Sequence, residues 1–211
     1  ILPGDPPVGR AKRYVVVGSG HSACTVRAHL DRLTETDESV EALWVTANTN
    51  TLPVADLDDD PLPERKRMVN AANALADGRN PRIRHVGGRW VEAIEGDSDR
   101  PMTVTLTDDS GGREQYPADH IYAMVGYRPD RTMYEELQVH ECYASSGPMK
   151  LSAALLSAGA SSDCMADMDI ADDLFNNPEP NFYILGAKSY GRTTNFLIQK
   201  GHDQIRTVFK Q

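Results

Sequence analysis

The first half of the chain alternates short apolar runs with longer amphipathic segments, a pattern typical of strands joined by helices. Residues 14–17 form an uninterrupted apolar run, as expected for a parallel strand that is buried on both faces. The next residues carry a helical apolar stripe made of Ala23, Val26, Leu30 and Leu33. Residues 40–45 are the next apolar run. This order predicts a strand–helix–strand unit with a right-handed connection.

Similar patterns predict further elements up to Gly126. Residues 63–76 have the apolar spacing of a helix, and its predicted inward-facing residues are Met68, Ala71, Ala72 and Leu75. A third parallel strand, three antiparallel strands and a returning buried strand are predicted at residues 83–86, 90–95, 102–107, 115–117 and 120–125. Together they predict an α/β fold: a Rossmann-like parallel sheet with helices on both faces and an inserted antiparallel β-meander.

The rest of the chain has a different texture. Residues 127–180 are rich in loops and prolines, with a short helix predicted at 133–137. A strand at 181–185 and a helix at 196–209 are predicted to form a C-terminal strand–helix tail. The predicted organisation is therefore a proline-rich linker at 1–12, a domain at 13–126 and a C-terminal tail at 127–211.

The turn after the first strand carries the candidate chemistry. Its sequence is Gly18, Ser19, Gly20, His21, Ser22 and Ala23, a Gly-x-Gly-x-x-Ala pattern. Gly18 permits a tight turn, Gly20 lets a pyrophosphate approach the backbone, and Ala23 keeps the helix close to the strand. Because free N–H groups and the helix dipole favour an anion at this point, the pattern predicts a dinucleotide cofactor. The alternative is a purely structural strand–helix turn.

The roles of three side chains near this turn stay open. His21 is either a donor to phosphate or a residue that only fills the helix start, and Ser22 either donates to phosphate or caps the helix. Thr46 follows the second strand, where an acidic residue favours NAD and a nearby arginine favours NADP. Since Thr46 and the residues after it carry no charge, the choice between NAD and NADP stays open.

Composition excludes several classes of partner. The formal net charge of −9 argues against nucleic acid or an anionic membrane as a main partner. No run approaches the roughly 18 apolar residues that would cross a membrane. Cys24, Cys142 and Cys164 lack a Cys-x-x-Cys spacing, which predicts reduced thiols in a cytoplasmic protein. The histidines show no spacing typical of a metal site, so no metal is expected.

Three blocks of sequence carry a family resemblance: residues 18–23, residues 118–130, and residues 181–186 with the helix that follows. In this order they resemble the flavoproteins with two dinucleotide-binding domains, the pyridine-nucleotide-disulfide oxidoreductase and flavin-containing monooxygenase superfamily. There the first block binds the NAD(P) pyrophosphate and the second closes the NAD(P) domain. The third ends the FAD domain, and its helix start faces the flavin. His21 and Ser22 resemble the monooxygenase branch more closely.

The resemblance implies cofactor-binding residues in the later blocks as well. Gly126 and Arg128 fall at the end of the returning strand, with Arg128 either facing the cofactor or pairing with an acid. Gly186, Lys188 and Ser189 fall at the start of the last helix, where they either contact a flavin phosphate or ring edge or form a polar loop. The implied function is the NAD(P)-binding portion of a FAD-dependent oxidoreductase that positions the nicotinamide for hydride transfer to the flavin.

Departures from the family pattern keep a second hypothesis open. The FAD-binding Gly-x-Gly-x-x-Gly is absent, and Ala187 stands where the family has an aspartate. The chain is therefore expected to be the C-terminal part of a parent protein, inactive without an N-terminal FAD-binding half. The alternative is a stand-alone nucleotide-sensing or interaction module without flavin. The apolar 181–209 segment is expected to dock on residues 13–126 or to pair into a homodimer. Catalytic residues and substrate are not identified.

Overall fold

The computed structural model describes residues 12–56, 62–96, 101–157, 172–193 and 196–209. The chain divides into two compact units, Ile1–Val125 and Gly126–Gln211. All but the last residue of the predicted linker 1–12 lies outside the described residues, as does Cys164. Cys24 is buried, Cys142 is partly exposed, and both are free thiols.

The first unit contains a four-stranded parallel sheet and a three-stranded antiparallel sheet. In chain order its elements are β1 (Arg13–Val17), α1 (His21–Thr36), β2 (Glu41–Thr46), α2 (Pro63–Ala76), β3 (Ile83–Gly87), β4 (Trp90–Glu95), β5 (Met102–Thr107), β6 (Arg113–Ala118) and β7 (His120–Ala123). The parallel sheet has the order β3-β2-β1-β7, and the antiparallel sheet has the order β4-β5-β6. The predicted α/β, Rossmann-like fold with an inserted meander is confirmed.

The two faces of the parallel sheet are covered differently. Tyr14, Val16 and Trp44 belong to a core with α1 and α2, whereas Val15 and Val45 belong to a core with the antiparallel sheet. We predicted helices on both faces, but α1 and α2 share one face. The reason is topological: the chain moves in one direction from β1 to β3, so two right-handed crossovers place both helices on the same side. The connection from β3 back to β7 runs in the opposite direction, and the meander fills the other face.

The second unit is built from short helices and irregular segments. It contains α3 (Met149–Ser157), α4 (Ile198–Val208) and the 3₁₀ helices Asp172–Phe175 and Gly186–Tyr190. Leu151, Phe175 and Tyr190 form its small buried core. The predicted helix at 133–137 is wrong, because these residues form turns. Helix α3 was not predicted, since its sequence follows a proline-rich region and lacks an amphipathic alternation.

The predicted strand at 181–185 is also wrong. Asn181 has a φ of 59°, a left-handed conformation that ends regular extension, and residues 182–185 are irregular. A strand needs a neighbour for its N–H and C=O groups. The described part of this unit offers only an isolated bridge between Glu141 and Pro148. An apolar run alone was therefore an insufficient signal for a strand.

Candidate functional site

The turn between β1 and α1 is held tightly at its first glycine. Gly18 has a φ of +120°, and a Cβ atom there would lie 2.2 Å from the carbonyl oxygen of Met124. The Gly18 amide donates a hydrogen bond of 2.9 Å to the carbonyl of Val45 on β2. A side chain at this position would collide with backbone, which explains why the turn begins with glycine.

The second glycine of the turn is open. Gly20 is the N-cap of α1 with a φ of −84°, and a Cβ atom there would meet no atom within 4 Å. Within the described ranges, no backbone hydrogen bond uses the N–H of Ser19 or Gly20. Partnerless N–H groups at a helix start attract anions such as phosphate. The turn thus combines a rigid base with accessible donors.

The side chains of the turn divide into a buried and an exposed set. Ala23 is fully buried and packs α1 onto the sheet, as the sequence predicted. His21 and Ser22 are exposed on the first turn of α1, which contains no acidic residue. A carboxylate that would repel an anion is therefore missing from this helix turn. Within the described part of the chain, no side-chain hydrogen bond caps α1, so the Ser22 hydroxyl does not act as its cap.

Thr46 lies at the carboxyl end of β2, and its hydroxyl is engaged inside the protein. It donates to the carbonyl of Asn48 at 3.2 Å and lies 3.0 Å from Nε2 of His85. Arg89 donates its amide to the carbonyl of Thr46, but its guanidinium is paired with Asp108 at 2.9 Å. The end of β2 is therefore close to neutral, and the choice between NAD and NADP stays open.

The remaining predicted site residues lie in the second unit. Gly126 and Arg128 are exposed. Lys188 donates from Nζ to the carbonyl of Asp130 at 2.9 Å. The Gly186 amide donates to Oε1 of Gln204 at 2.7 Å, and Ser189 is fully buried.

Ser189 and Gly186 form a closed polar network with Gln204. The Ser189 hydroxyl donates to the Gly186 carbonyl at 2.7 Å and accepts a hydrogen bond of 2.8 Å from Nε2 of Gln204. Gln204 is itself almost fully buried. These groups satisfy one another within the unit, so they are not presented to a ligand as the turn at Gly20 is.

Three residues beneath the first turn were not anticipated as part of the site. The indole of Trp44 donates from Nε1 to the carbonyl of Gly18 at 2.7 Å. The guanidinium carbon of Arg27 lies 3.4 Å from the Trp44 ring centroid, and the His85 ring lies 4.4 Å from it. Burial lowers the pKa of Arg27 to about 10. Burial, and then the charge of Arg27, lower the pKa of His85, which favours its neutral form.

A sequence signal for one of these residues exists. Arg27 follows Ala23 by four positions and precedes Leu30 by three, so it lies on the buried side of α1. An arginine at such a position predicts either that the cation is buried or that the helix is rotated so that another side faces the core. Trp44 gave no comparable signal, because a tryptophan within an apolar strand is expected in any core.

Two classes of site find no support among the described residues. They contain no group of three or more His, Cys, Asp or Glu side chains that could hold a metal ion. They also contain no helix of the length and apolar character needed to cross a membrane.

The parallel sheet, its meander and the glycine turn define a Rossmann-like fold shared with solved disulfide and thioredoxin reductases and with a monooxygenase solved with FAD. A bacillithiol disulfide reductase from Bacillus cereus is 18% identical, with a TM-score of 0.59 over 93% of this chain and 48% of that chain. A cadaverine monooxygenase of desferrioxamine biosynthesis from Erwinia amylovora, solved with FAD, is 11% identical, with a TM-score of 0.57 over 96% and 52%.

A thioredoxin reductase from Lactococcus lactis is also similar, at 13% identity and a TM-score of 0.56 over 96% of this chain and 55% of that chain. The chain thus spans about half the length of these structures. Identities this low show a common fold alone. No protein-family model and no curated protein sequence matches the chain.

Proposed function

We propose that this chain is the NAD(P)-binding portion of a FAD-dependent oxidoreductase. The observation that carries the proposal is the open Gly20 turn, where the N–H groups of Ser19 and Gly20 have no backbone partner among the described residues. The fold of the neighbouring structures and the half-length coverage support it. Gly18, Ser19, Gly20, His21 and Ser22 would hold the pyrophosphate, and Ala23 would keep α1 against the sheet.

The residues present fit a dinucleotide better than a simple anion. The turn supplies donors for a pyrophosphate, and Thr46 marks the end of β2, where the adenosine ribose of a dinucleotide lies in this type of fold. When bound, a nicotinamide supplies the hydride that reduces a flavin. The proposed role of this chain is to bind and orient the dinucleotide. In the parent protein, Arg128 is proposed to face the cofactor, and Lys188 is proposed to contact a flavin phosphate or ring edge.

Titration calorimetry with NADH and NADPH tests the proposal. We expect one of them to bind at millimolar concentration or tighter, and Gly20→Val to abolish binding because a branched side chain would occupy the approach of the pyrophosphate. Since a Cβ at Gly20 meets nothing within 4 Å, the variant should fold. Gly20→Ser is the matched control: it keeps a favourable N-cap and a smaller side chain. Absence of binding by the unmodified protein would reject the proposed function.

We further propose that a FAD-binding lobe of the same flavoprotein covers the exposed side of α4. Ile198, Ile205 and Phe209 lie on one side of this helix and are 76%, 48% and 65% exposed. The neighbouring structures are about twice as long as this chain, which supplies a lobe of suitable size. Sedimentation of the chain alone separates the outcomes: a monomer is expected, whereas a dimer that Ile205→Glu dissociates would indicate a second copy instead.

A specific observation favours the second candidate function, a nucleotide-sensing or interaction module without flavin. Gly186 and Ser189, which the resemblance assigns to the flavin side, are satisfied internally by Gln204. The absorbance of the parent protein discriminates the two candidates. Flavin bands in the purified protein support the oxidoreductase, and their absence together with retained NADH or NADPH binding supports the module.

A further inference from the structure

A buried indole connects the protein core to the glycine turn. Trp44 is fully buried on β2, directly across from Val16 of β1. Its Nε1–H donates to the carbonyl oxygen of Gly18 at 2.7 Å. Because the indole that donates is fully buried, this hydrogen bond constrains the direction of the Gly18 carbonyl, although Gly18 itself is partly exposed.

The indole ring is itself held in place. The Arg27 guanidinium lies against it at 3.4 Å from the ring centroid, and Arg27 Nη2 donates to the Ala72 carbonyl of α2 at 3.0 Å. Nε and Nη1 of Arg27 are buried without a hydrogen-bond partner within the described part of the chain. Contact with the π face of Trp44 is thus a main compensation for burying this cation. The indole cannot rotate away without exposing the guanidinium to an apolar core.

The other parts of Gly18 are fixed as well. Its amide is bonded to the Val45 carbonyl, and its Cα faces the carbonyl of Met124 so closely that no Cβ would fit. The carbonyl of Gly18 is bonded to Trp44. The amide, the carbonyl and the Cα of Gly18 are therefore each held by a neighbour, either on β2 or directly after β7. The peptide between Gly18 and Ser19 therefore has one available orientation.

That orientation decides where the next amide points. The described residues contain no cis peptide bond, and in a trans peptide the C=O and N–H groups point in opposite directions. Because the Gly18 carbonyl points to Trp44, the Ser19 N–H points away from the indole and the core around it. In the described ranges this N–H makes no backbone hydrogen bond.

We propose that Trp44 is a positioning residue for the dinucleotide: its indole N–H fixes the Gly18–Ser19 peptide so that the Ser19 N–H faces the pyrophosphate. The inference rests on the proposed function. Removing only the indole N–H should let the peptide rotate while the core stays filled. We expect roughly three- to tenfold weaker binding of a pyrophosphate ligand, the range expected from one neutral hydrogen bond.

The test replaces the N–H with an isosteric sulfur. Trp90 is the other tryptophan and is exposed on β4, so Trp90→Phe provides a background with one indole and is also the matched control. In that background, position 44 receives 3-benzothienylalanine, which keeps the bicyclic ring for Arg27. ADP binding is measured by calorimetry. The ¹H–¹⁵N signal of the Ser19 amide is followed through the titration, because a general loss of stability would not selectively change it.

A measurement on the unmodified protein needs no variant to fold. The indole N–H of Trp44 should exchange with solvent far more slowly than that of Trp90. Equal ADP affinity and an equal Ser19 shift in the sulfur variant would overturn the positioning role while leaving the proposed function intact. Exchange of the Trp44 N–H as fast as that of Trp90 would do the same. If the unmodified protein binds none of ADP, NADH and NADPH, the proposed function itself fails.

Discussion

Each of the two units contains a turn that begins with a glycine and leads into a helix. The two turns differ in whether their hydrogen-bond donors have partners. At Gly18–Gly20 the backbone is fixed from below by Val45 and Trp44, while the N–H groups of Ser19 and Gly20 have no backbone partner within the described ranges. At Gly186 the amide and the nearby Ser189 hydroxyl are bonded to Gln204. The comparison teaches that a glycine at a helix start indicates a ligand site only where the protein leaves its donors unsatisfied.

The largest expected effect distinguishes the two glycines of the first turn. Gly18→Ala should lower the free energy of unfolding by about 3 kcal/mol or more, because a Cβ would collide with the Met124 carbonyl in a strained backbone region. Gly20→Ala should change it by less than about 1 kcal/mol, since the space around it is open. Urea denaturation of both variants measures the difference. Equal losses would show that Gly18 is not the rigid base of the turn.

The second effect tests whether the Gly186 turn is satisfied internally. Gln204→Leu removes the acceptor of the Gly186 amide and the donor to Ser189, which should cost about 1–3 kcal/mol of unfolding free energy. Gln199→Leu is the matched control on the same helix, because Gln199 is exposed and its side-chain amide donates to Asp203 on the helix surface. Denaturation curves of the two variants that coincide would remove the contrast between the turns.

Local patterns were enough to predict most of the first unit. The apolar runs of β1 and β2, the spacing of α2 and the Gly-x-Gly-x-x-Ala turn each depend on residues close in sequence, and the structure contains all of these elements. The predicted inner face of α2 is wrong at Ala71, which is exposed, while Val69 is buried. The placement of both helices on one face was not predicted, because it follows from strand order rather than from periodicity. Whether Gly18 to Ala23 bind a cofactor stays a prediction.

The features that were missed depend on contacts distant in sequence. Trp44 reaches Gly18 across 26 positions, and Gln204 reaches Gly186 across 18. A short sequence window of the kind used to recognise a helix or a strand does not contain both members of such a pair. The segment 181–185 has the composition of a strand, but a strand also needs a neighbouring strand, which a local pattern does not reveal. Sequence patterns thus identified the turn at Gly18–Gly20, but they wrongly predicted a regular strand before the turn at Gly186.

A carboxylate at the edge of the parallel sheet stabilises the strands that support the first turn. Asp119 accepts hydrogen bonds from the amides of Lys12 and Arg13 and pairs with the Arg13 guanidinium at 2.8 Å. The guanidinium hydrogen bond, followed by the amide bonds, lowers the pKa of Asp119 to about 2. A carboxyl with a lowered pKa stabilises the fold above its unfolded pKa of about 4, and that stability is lost as the pH falls through about 2.

Asp119→Asn should therefore cost about 1–2 kcal/mol at pH 7. The difference from the unmodified protein should shrink as the pH falls from 4 towards 2. Denaturation at pH 7, 4 and 3 measures it. Asp130→Asn in the second unit is the matched control, because the exposed Asp130 carboxylate accepts from the amide and hydroxyl of Thr132 but has no guanidinium partner among the described residues, so a smaller loss is expected. A difference that stayed constant with pH would show that the Asp119 charge plays no part.

The smallest effect concerns the buried histidine beneath the first turn. Burial and the nearby Arg27 charge lower the pKa of His85 from 6.5, so the folded protein disfavours the protonated ring. The unfolded chain then binds the proton more readily, and stability is complete above pH 6.5 and falls as the pH drops through the lowered value. We expect a shallow fall in unfolding free energy below pH 6.5 that His85→Gln removes. His202→Gln on α4 controls for the loss of one histidine.

A second measurement asks whether protonation of His85 also affects the open turn, because His85 contacts the Trp44 ring that bonds to Gly18. Loss of ADP affinity over the same pH interval would link this proton to the turn, whereas affinity unchanged with pH would show that protonation affects the core alone.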